Sequence, residues 1–117
     1  MKGSSQSLKL PNQLWLISLL IGLLGWSCSA VRHWLLQSNA YDLGLFDQWA
    51  WLVSQGLPPV SSMEGVHLLA DHGAWWLYLS GALYTIEPYL QWLLASQALA
   101  LSCTAIPIWM LAAQAQL

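Results

Sequence analysis

Asp42, Asp47, Glu64, His67, Asp71 and His72 are the side chains here whose types could do chemistry, and all fall between Tyr41 and His72. An aspartate at the edge of an apolar cavity can take a proton from a hydroxyl or orient it for attack, which makes Asp42 the candidate general base. A structural role competes with that one, because an aspartate just ahead of residues at helical spacing can cap their free backbone N–H groups. Asp47 stands five residues on, and at roughly 100° per residue the two side chains point about 140° apart, so they form no close carboxylate pair on one helix. Asp47 is expected on a solvated face, where the helix dipole also favours a carboxylate in the first turns. His67, Asp71 and His72 are metal-ligand types, but their spacing matches no established metal motif. A divalent cation is therefore unsupported and no cofactor is assigned. His72 has a second option, since an imidazolium can donate to a phosphate without a metal.

The elements that must carry these residues are those of a membrane protein. Charged residues make up 7% of the chain and hydrophobic residues 57%, whereas soluble domains average about a quarter charged. Such a chain cannot cover its own surface with polar groups, and its nine Trp and four Tyr are side chains suited to a membrane–water interface. No basic patch exists, so nucleic acid is excluded as a partner.

From Leu10 to Val31 the chain is uncharged, and a helix over about 11–31 is long enough to cross a hydrocarbon core of roughly 30 Å. Lys2 and Lys9 ahead of it place the amino terminus in the cytoplasm by the positive-inside bias, and the following loop outside. A cleaved signal peptide is the competing reading. A lipoprotein-type site at Cys28 calls for Leu three positions earlier, however, where Gly25 stands beside bulky Trp26. Arg32, at the outer end of this helix, reads as an interfacial anchor whose stem lies along the apolar segment rather than as a lipid-phosphate ligand. Ser18, Gly22, Gly25 and Ser29 put small side chains on one face, which can take a neighbouring helix at close range. Cys28 and Cys103 read as small buried hydrophobes too far apart along their helices to join.

The loop spans about 32–87. Leu43, Phe46, Trp49, Ala50 and Val53 recur at helical spacing, which predicts an amphipathic helix from Asp42 to Gln55 on the membrane surface. Gly56 and Pro58 stop it. Residues 57–70 read as irregular. Asp71 could cap a second helix running through Ile86, whose 14 uncharged residues from Gly73 are too few to span and suit an interfacial position. The return helix is then about 88–113, with Ala98, Ser102 and Ala105 as a second small-residue stripe and a kink at Pro107. The fold class is thus all-α integral membrane, with two transmembrane helices joined by an extracytoplasmic loop that carries one or two short interfacial helices.

The string Tyr41-Asp42-Leu43-Gly44-Leu45-Phe46-Asp47-Gln48, then Gly56, Leu69-Ala70-Asp71-His72 and Glu87-Pro88, resembles the amino-terminal part of the membrane family called domain of unknown function 2079. The resemblance covers about residues 14–113. That family in turn resembles the GT-C class of polytopic glycosyltransferases, which take a sugar from a polyprenyl-phosphate carrier on the outer membrane face. The resemblance implies that Asp42 matches the functional aspartate of the first outer loop and that Phe46 matches the aromatic residue four positions on. Leu43 replaces the second carboxylate of that motif. His72 matches a basic residue that contacts substrate phosphate, with Gly73-Ala74 in place of the usual prolines. The expectation is the opening portion of a longer protein in the plasma (inner) membrane, inactive as this short chain, with the lipid bilayer, other membrane helices and a polyprenyl-phosphate-sugar donor as partners. The alternative is a small non-enzymatic subunit that packs on a larger helical partner through its small-residue stripes.

Overall fold

The computed structural model describes residues 11–71 and 73–115. Six helices follow in order: α1 (Asn12–Trp34), α2 (Ala40–Ser54), α3 (Leu68–Asp71), α4 (Trp76–Tyr84), α5 (Gln91–Cys103) and α6 (Ala105–Gln114). Among the described residues, the one extended feature is an isolated antiparallel bridge between Val60 and His67.

The molecule has two parts. In the first, α1 packs along α5. Both α1 and the run Gln91–Gln114 are long and apolar enough to cross a membrane. Within the central window of α1 only 11% of the residues are buried by the rest of the protein, where the core helix of a soluble domain would be mostly covered. Lipid is the apolar medium left to cover it. Thr104 separates α5 from α6, because Pro107 offers no N–H to the carbonyl four residues back. The helix is therefore interrupted three residues ahead of Pro107.

The two small-residue stripes face each other across this pair. A Cβ built on Gly22 would stand 2.8 Å from Ser102 Oγ, and one on Gly25 would stand 3.7 Å from Ala98 Cβ. The faces that the sequence offers to a partner helix thus meet within the chain. Cys28 is left on the outside of the pair and Cys103 is half-buried. This corrects the reading of both as buried, since the contact line through Gly22 and Gly25 does not pass Cys28.

In the second part, α2 packs against α4 around Leu45, Trp49, Ala50, Leu77 and Tyr84, with Leu68 and Leu93 closing the cluster. The ends of α2 follow from local chemistry. Asn39 Oδ1 accepts from Tyr41 N–H at 3.3 Å at the start. Gly56, at φ +66, takes the left-handed turn after the end. Gly56 N–H reaches Val53 O and Leu57 N–H reaches Leu52 O, both at 3.0 Å, which is the Schellman arrangement.

Two expectations need correcting, the irregular run 57–70, whose last residues 68–70 belong to α3, and the helix after it. The single helix from Asp71 through Ile86 is divided, because Gly73 at φ +58 turns the chain the wrong way for a right-handed helix. Asp71 therefore ends α3, and α4 starts at Trp76. Residues 57–67 are irregular but pinned down: Ser61 Oγ and Ser62 N–H both donate to Gln48 Oε1, at 3.1 Å each, and Gln48 Nε2 donates to Ser62 Oγ at 2.7 Å.

The α2–α4 contact closes over Gly81, where an added Cβ would collide with the Val53 side chain and lie 3.3 Å from Ala50 O. Val53 is β-branched and cannot swing aside cheaply. Gly81→Ala is expected to destabilise the chain by about 1–3 kcal/mol. Gly44→Ala, on a helix with open space at that position, should instead stabilise it by about 0.5–1 kcal/mol. Thermal unfolding in detergent checks both, and equal midpoints for the two variants would refute the packing argument.

Candidate functional site

Arg32 is the one Lys or Arg among the described residues, and the end of α1 fixes where it stands. Leu36 takes φ +57, so the chain reverses there. Leu36 N–H donates to His33 O at 3.0 Å and Gln37 N–H to Arg32 O at 2.8 Å. This is again the Schellman closure, with Leu where glycine is usual. Arg32 Nη2 answers by donating to Gln37 O at 3.3 Å. Backbone and side chain of Arg32 thus both hold Gln37, which leads the chain straight into the start of α2.

At that start Asp42 sits in the first turn, and Asn39, not Asp42, is the cap. Asn39 Nδ2 donates to Asp42 Oδ2 at 2.8 Å. The helix dipole adds to this in favour of a carboxylate there. Arg32 and Asp42 line one cavity of about 440 Å³, together with Ser29, Ser38, Asn39 and Gln97 at its polar side and Leu43, Phe46 and Leu94 at its apolar side. Leu43, Phe46 and Gln97 also line an apolar groove of about 490 Å³ that continues between α4 and α5 past Trp76, Leu93, Ala100 and Leu101. A pocket with charged lining and a largely apolar groove thus adjoin, sharing Leu43, Phe46 and Gln97.

The other candidates are placed as follows. Tyr41 OH donates to Glu64 Oε1 at 2.7 Å. That bond, with slight desolvation and the charges of Glu64, Asp71 and Asp42, raises the Tyr41 phenol above its ordinary value. The carboxylates thus surround a phenol that stays protonated. His67 Nδ1 accepts from Leu69 N–H at 3.2 Å, so one ring nitrogen is engaged in holding the loop. Among the described residues no three His, Cys, Asp or Glu side chains are grouped to hold a metal ion. His72 lies outside the described residues.

Asp47 is a correction. It is half-buried, and Tyr84 OH donates to its Oδ1 at 2.6 Å, so it faces α4 and not solvent. Tyr84 is 2% exposed. Burial first, then the hydrogen bond and the charge of Asp47, push its phenol far above the usual tyrosine range. The sequence reading also missed Arg32 as a neighbour of Asp42. Two signals bore on the groove: Asn39 three residues before an acidic residue is a helix-start pattern, and Gln97 is a polar residue within a spanning run.

The fold is that of an all-α membrane protein, with two helical runs long and apolar enough to span and a helical hairpin between them. The sequence profile of a family described as "Predicted membrane protein (DUF2079)" matches residues 32–117, and the chain belongs to that family. Neither curated proteins nor solved structures give a match.

Removing the Tyr84 hydroxyl leaves the half-buried Asp47 carboxylate without that donor, so Tyr84→Phe is expected to cost about 1–3 kcal/mol. The pH dependence has a definite sign. The phenol pKa is raised in the folded state, so its contribution is intact below the unfolded value near 10 and falls away as pH rises beyond it. Unfolding midpoints measured from pH about 8 to 11 should fall above about 10 in the native chain. They should fall less in Tyr84→Phe, and identical alkaline slopes would remove the Tyr84–Asp47 bond from the account.

Proposed function

We propose that this chain is the amino-terminal portion of a GT-C-like glycosyltransferase of the plasma membrane, with its amino terminus in the cytoplasm and the α2–α4 hairpin on the outer face. The donor is a sugar on a polyprenyl phosphate. The observation that carries the reading is the position of Asp42, in a pocket with charged lining that shares Leu43, Phe46 and Gln97 with a largely apolar groove. A polyprenyl-phosphate sugar has that same division, with a polar head and a long hydrocarbon tail.

Asp42 has the reach for acid–base work in such a pocket. Asn39 holds one carboxylate oxygen, and the other has no hydrogen-bond partner among the described residues. It can accept the proton of an acceptor hydroxyl as that oxygen attacks the sugar and the phosphate leaves with the electron pair of the broken bond. His72 is the proposed contact to the leaving phosphate. Turnover is not expected from the 117-residue chain itself, because two spanning helices leave the groove open to water and lipid, and preorganised electrostatics act strongly only where water is excluded. The subunit reading draws no support from the small-residue stripes, which are occupied with each other in the α1–α5 contact.

The experiment is to reconstitute the chain in nanodiscs and measure both binding of a polyprenyl-phosphate sugar and transfer to an added acceptor. Binding without transfer, with the donor still bound by Asp42→Asn, is the expected outcome. Robust transfer abolished by Asp42→Ala would overturn the expected inactivity while keeping the role of Asp42. Failure to bind any polyprenyl-phosphate donor would overturn the glycosyltransferase reading.

A further inference from the structure

Arg32 and Asp42 line the same cavity without pairing with each other. The guanidinium is held to Gln37 O and the carboxylate to Asn39, and no ion pair joins the two among the described residues. Opposite charges facing one cavity from separate anchors are complementary to a ligand that carries both signs a short distance apart. We infer that the cavity binds the headgroup of a zwitterionic aminophospholipid, its phosphate against Arg32 and its primary ammonium against Asp42, with one acyl chain lying in the groove between α4 and α5.

Each part of the ligand has its counterpart. The planar guanidinium presents paired donors that match phosphate oxygens. Only one of its nitrogens is engaged, in a long bond of 3.3 Å. A head without an ammonium leaves Asp42 without that partner. A primary ammonium gives it charge-assisted N–H donation. A quaternary ammonium has no N–H to offer and loses that bond. Beyond the head, Leu43 and Phe46 lead into the groove lined by Leu93, Ala100 and Leu101, which takes a hydrocarbon chain without burying any unpaired polar group of it. The depth is also right. Arg32 lies in the last turn of α1, at the end of a helix long and apolar enough to cross a membrane, and phospholipid headgroups lie at the ends of such helices.

This inference does not depend on sugar transfer, since a bound phospholipid is detected without turnover. The test is native mass spectrometry of the delipidated chain, offered phosphatidylethanolamine, phosphatidylglycerol and phosphatidylcholine of matched acyl chains, then polyprenyl phosphate and inorganic phosphate separately. The native chain should retain phosphatidylethanolamine over the other two phospholipids by roughly tenfold, the scale of one charge-assisted hydrogen bond. Asp42→Asn should lose that preference while still binding phosphatidylglycerol. Arg32→Gln should weaken every phospholipid. Leu101→Trp, placed in the apolar groove away from both charges, should weaken all three phospholipids and keep their order, and so tests the acyl track even if a charge variant misfolds. Equal retention of the three phospholipids by the native chain, or an unchanged preference in Asp42→Asn, would overturn the inference. So would retention of polyprenyl phosphate with no phospholipid, although that outcome would leave the sugar-transfer reading standing. Binding of inorganic phosphate alone, with no lipid, would overturn both.

Discussion

The close approach of α1 to α5 at Gly22 is the constraint on which the other distances depend. With no side chain on Gly22 and only a hydroxymethyl on Ser102, the two backbones come near enough to pack directly. In lipid that contact has no hydrophobic driving force behind it, because acyl chains are as apolar as leucine, and it relies on close packing of small surfaces. A larger residue at Gly22 would widen the gap all the way up the pair. The consequences would reach the groove, since Gln97 and Leu94 of α5 form one of its walls and Ser29 and Arg32 of α1 another. The spanning pair thus sets the width of a cavity whose chemistry is supplied by α2.

The hairpin above it is held by a different kind of interaction. Its core is apolar, but its register comes from polar bonds that reach across it: Tyr84 to Asp47, Gln48 to Ser61 and Ser62, and Tyr41 to Glu64. Apolar packing is tolerant of small slides, whereas a hydrogen bond to a half-buried carboxylate is costly to leave unmade. These polar contacts along α2, from its first turn at Tyr41 to its middle at Gln48, tie the helix to the loop and to α4. Asp42 is fixed in position as a result, although it makes none of these bonds itself.

What could be read from the sequence was whatever acts over a few residues or over a whole segment. The spanning runs, the stop at Gly56 and Pro58, and the break ahead of Pro107 all follow from local backbone chemistry or from length and hydropathy. The division of α3 from α4 at Gly73 was equally local and was passed over because Gly73 stood within an uncharged run. Asp47 is the opposite case. Helical spacing puts it on the polar side of α2, and that side proves to face Tyr84, 37 residues away, so no periodicity within α2 reports its partner. The nearness of Arg32 to Asp42 is hidden for a related reason. Its ten-residue separation from Asp42 becomes proximity only because Leu36 reverses the chain in a conformation that leucine seldom adopts.

That reversal bears on how a chain with so few charges arranges them. A left-handed residue other than glycine costs of order 1–2 kcal/mol, and Leu36 is nearly fully exposed, so no packing of its side chain repays the cost. The compensation is in the backbone bonds from Leu36 and Gln37 back to α1 and in the guanidinium bond to Gln37. A more ordinary ending to α1 would carry the helix on past Trp34 and move Asn39 and Asp42 away from Arg32. The strained turn therefore has one structural product, the placement of a cation and a carboxylate on the same cavity while each is held by other groups. Strain of this kind persists where the surrounding bonds over-determine it, and it concentrates where a ligand is held. Here the turn sets Arg32, at the end of an apolar helix, on the same cavity as the start of α2 that carries Asp42.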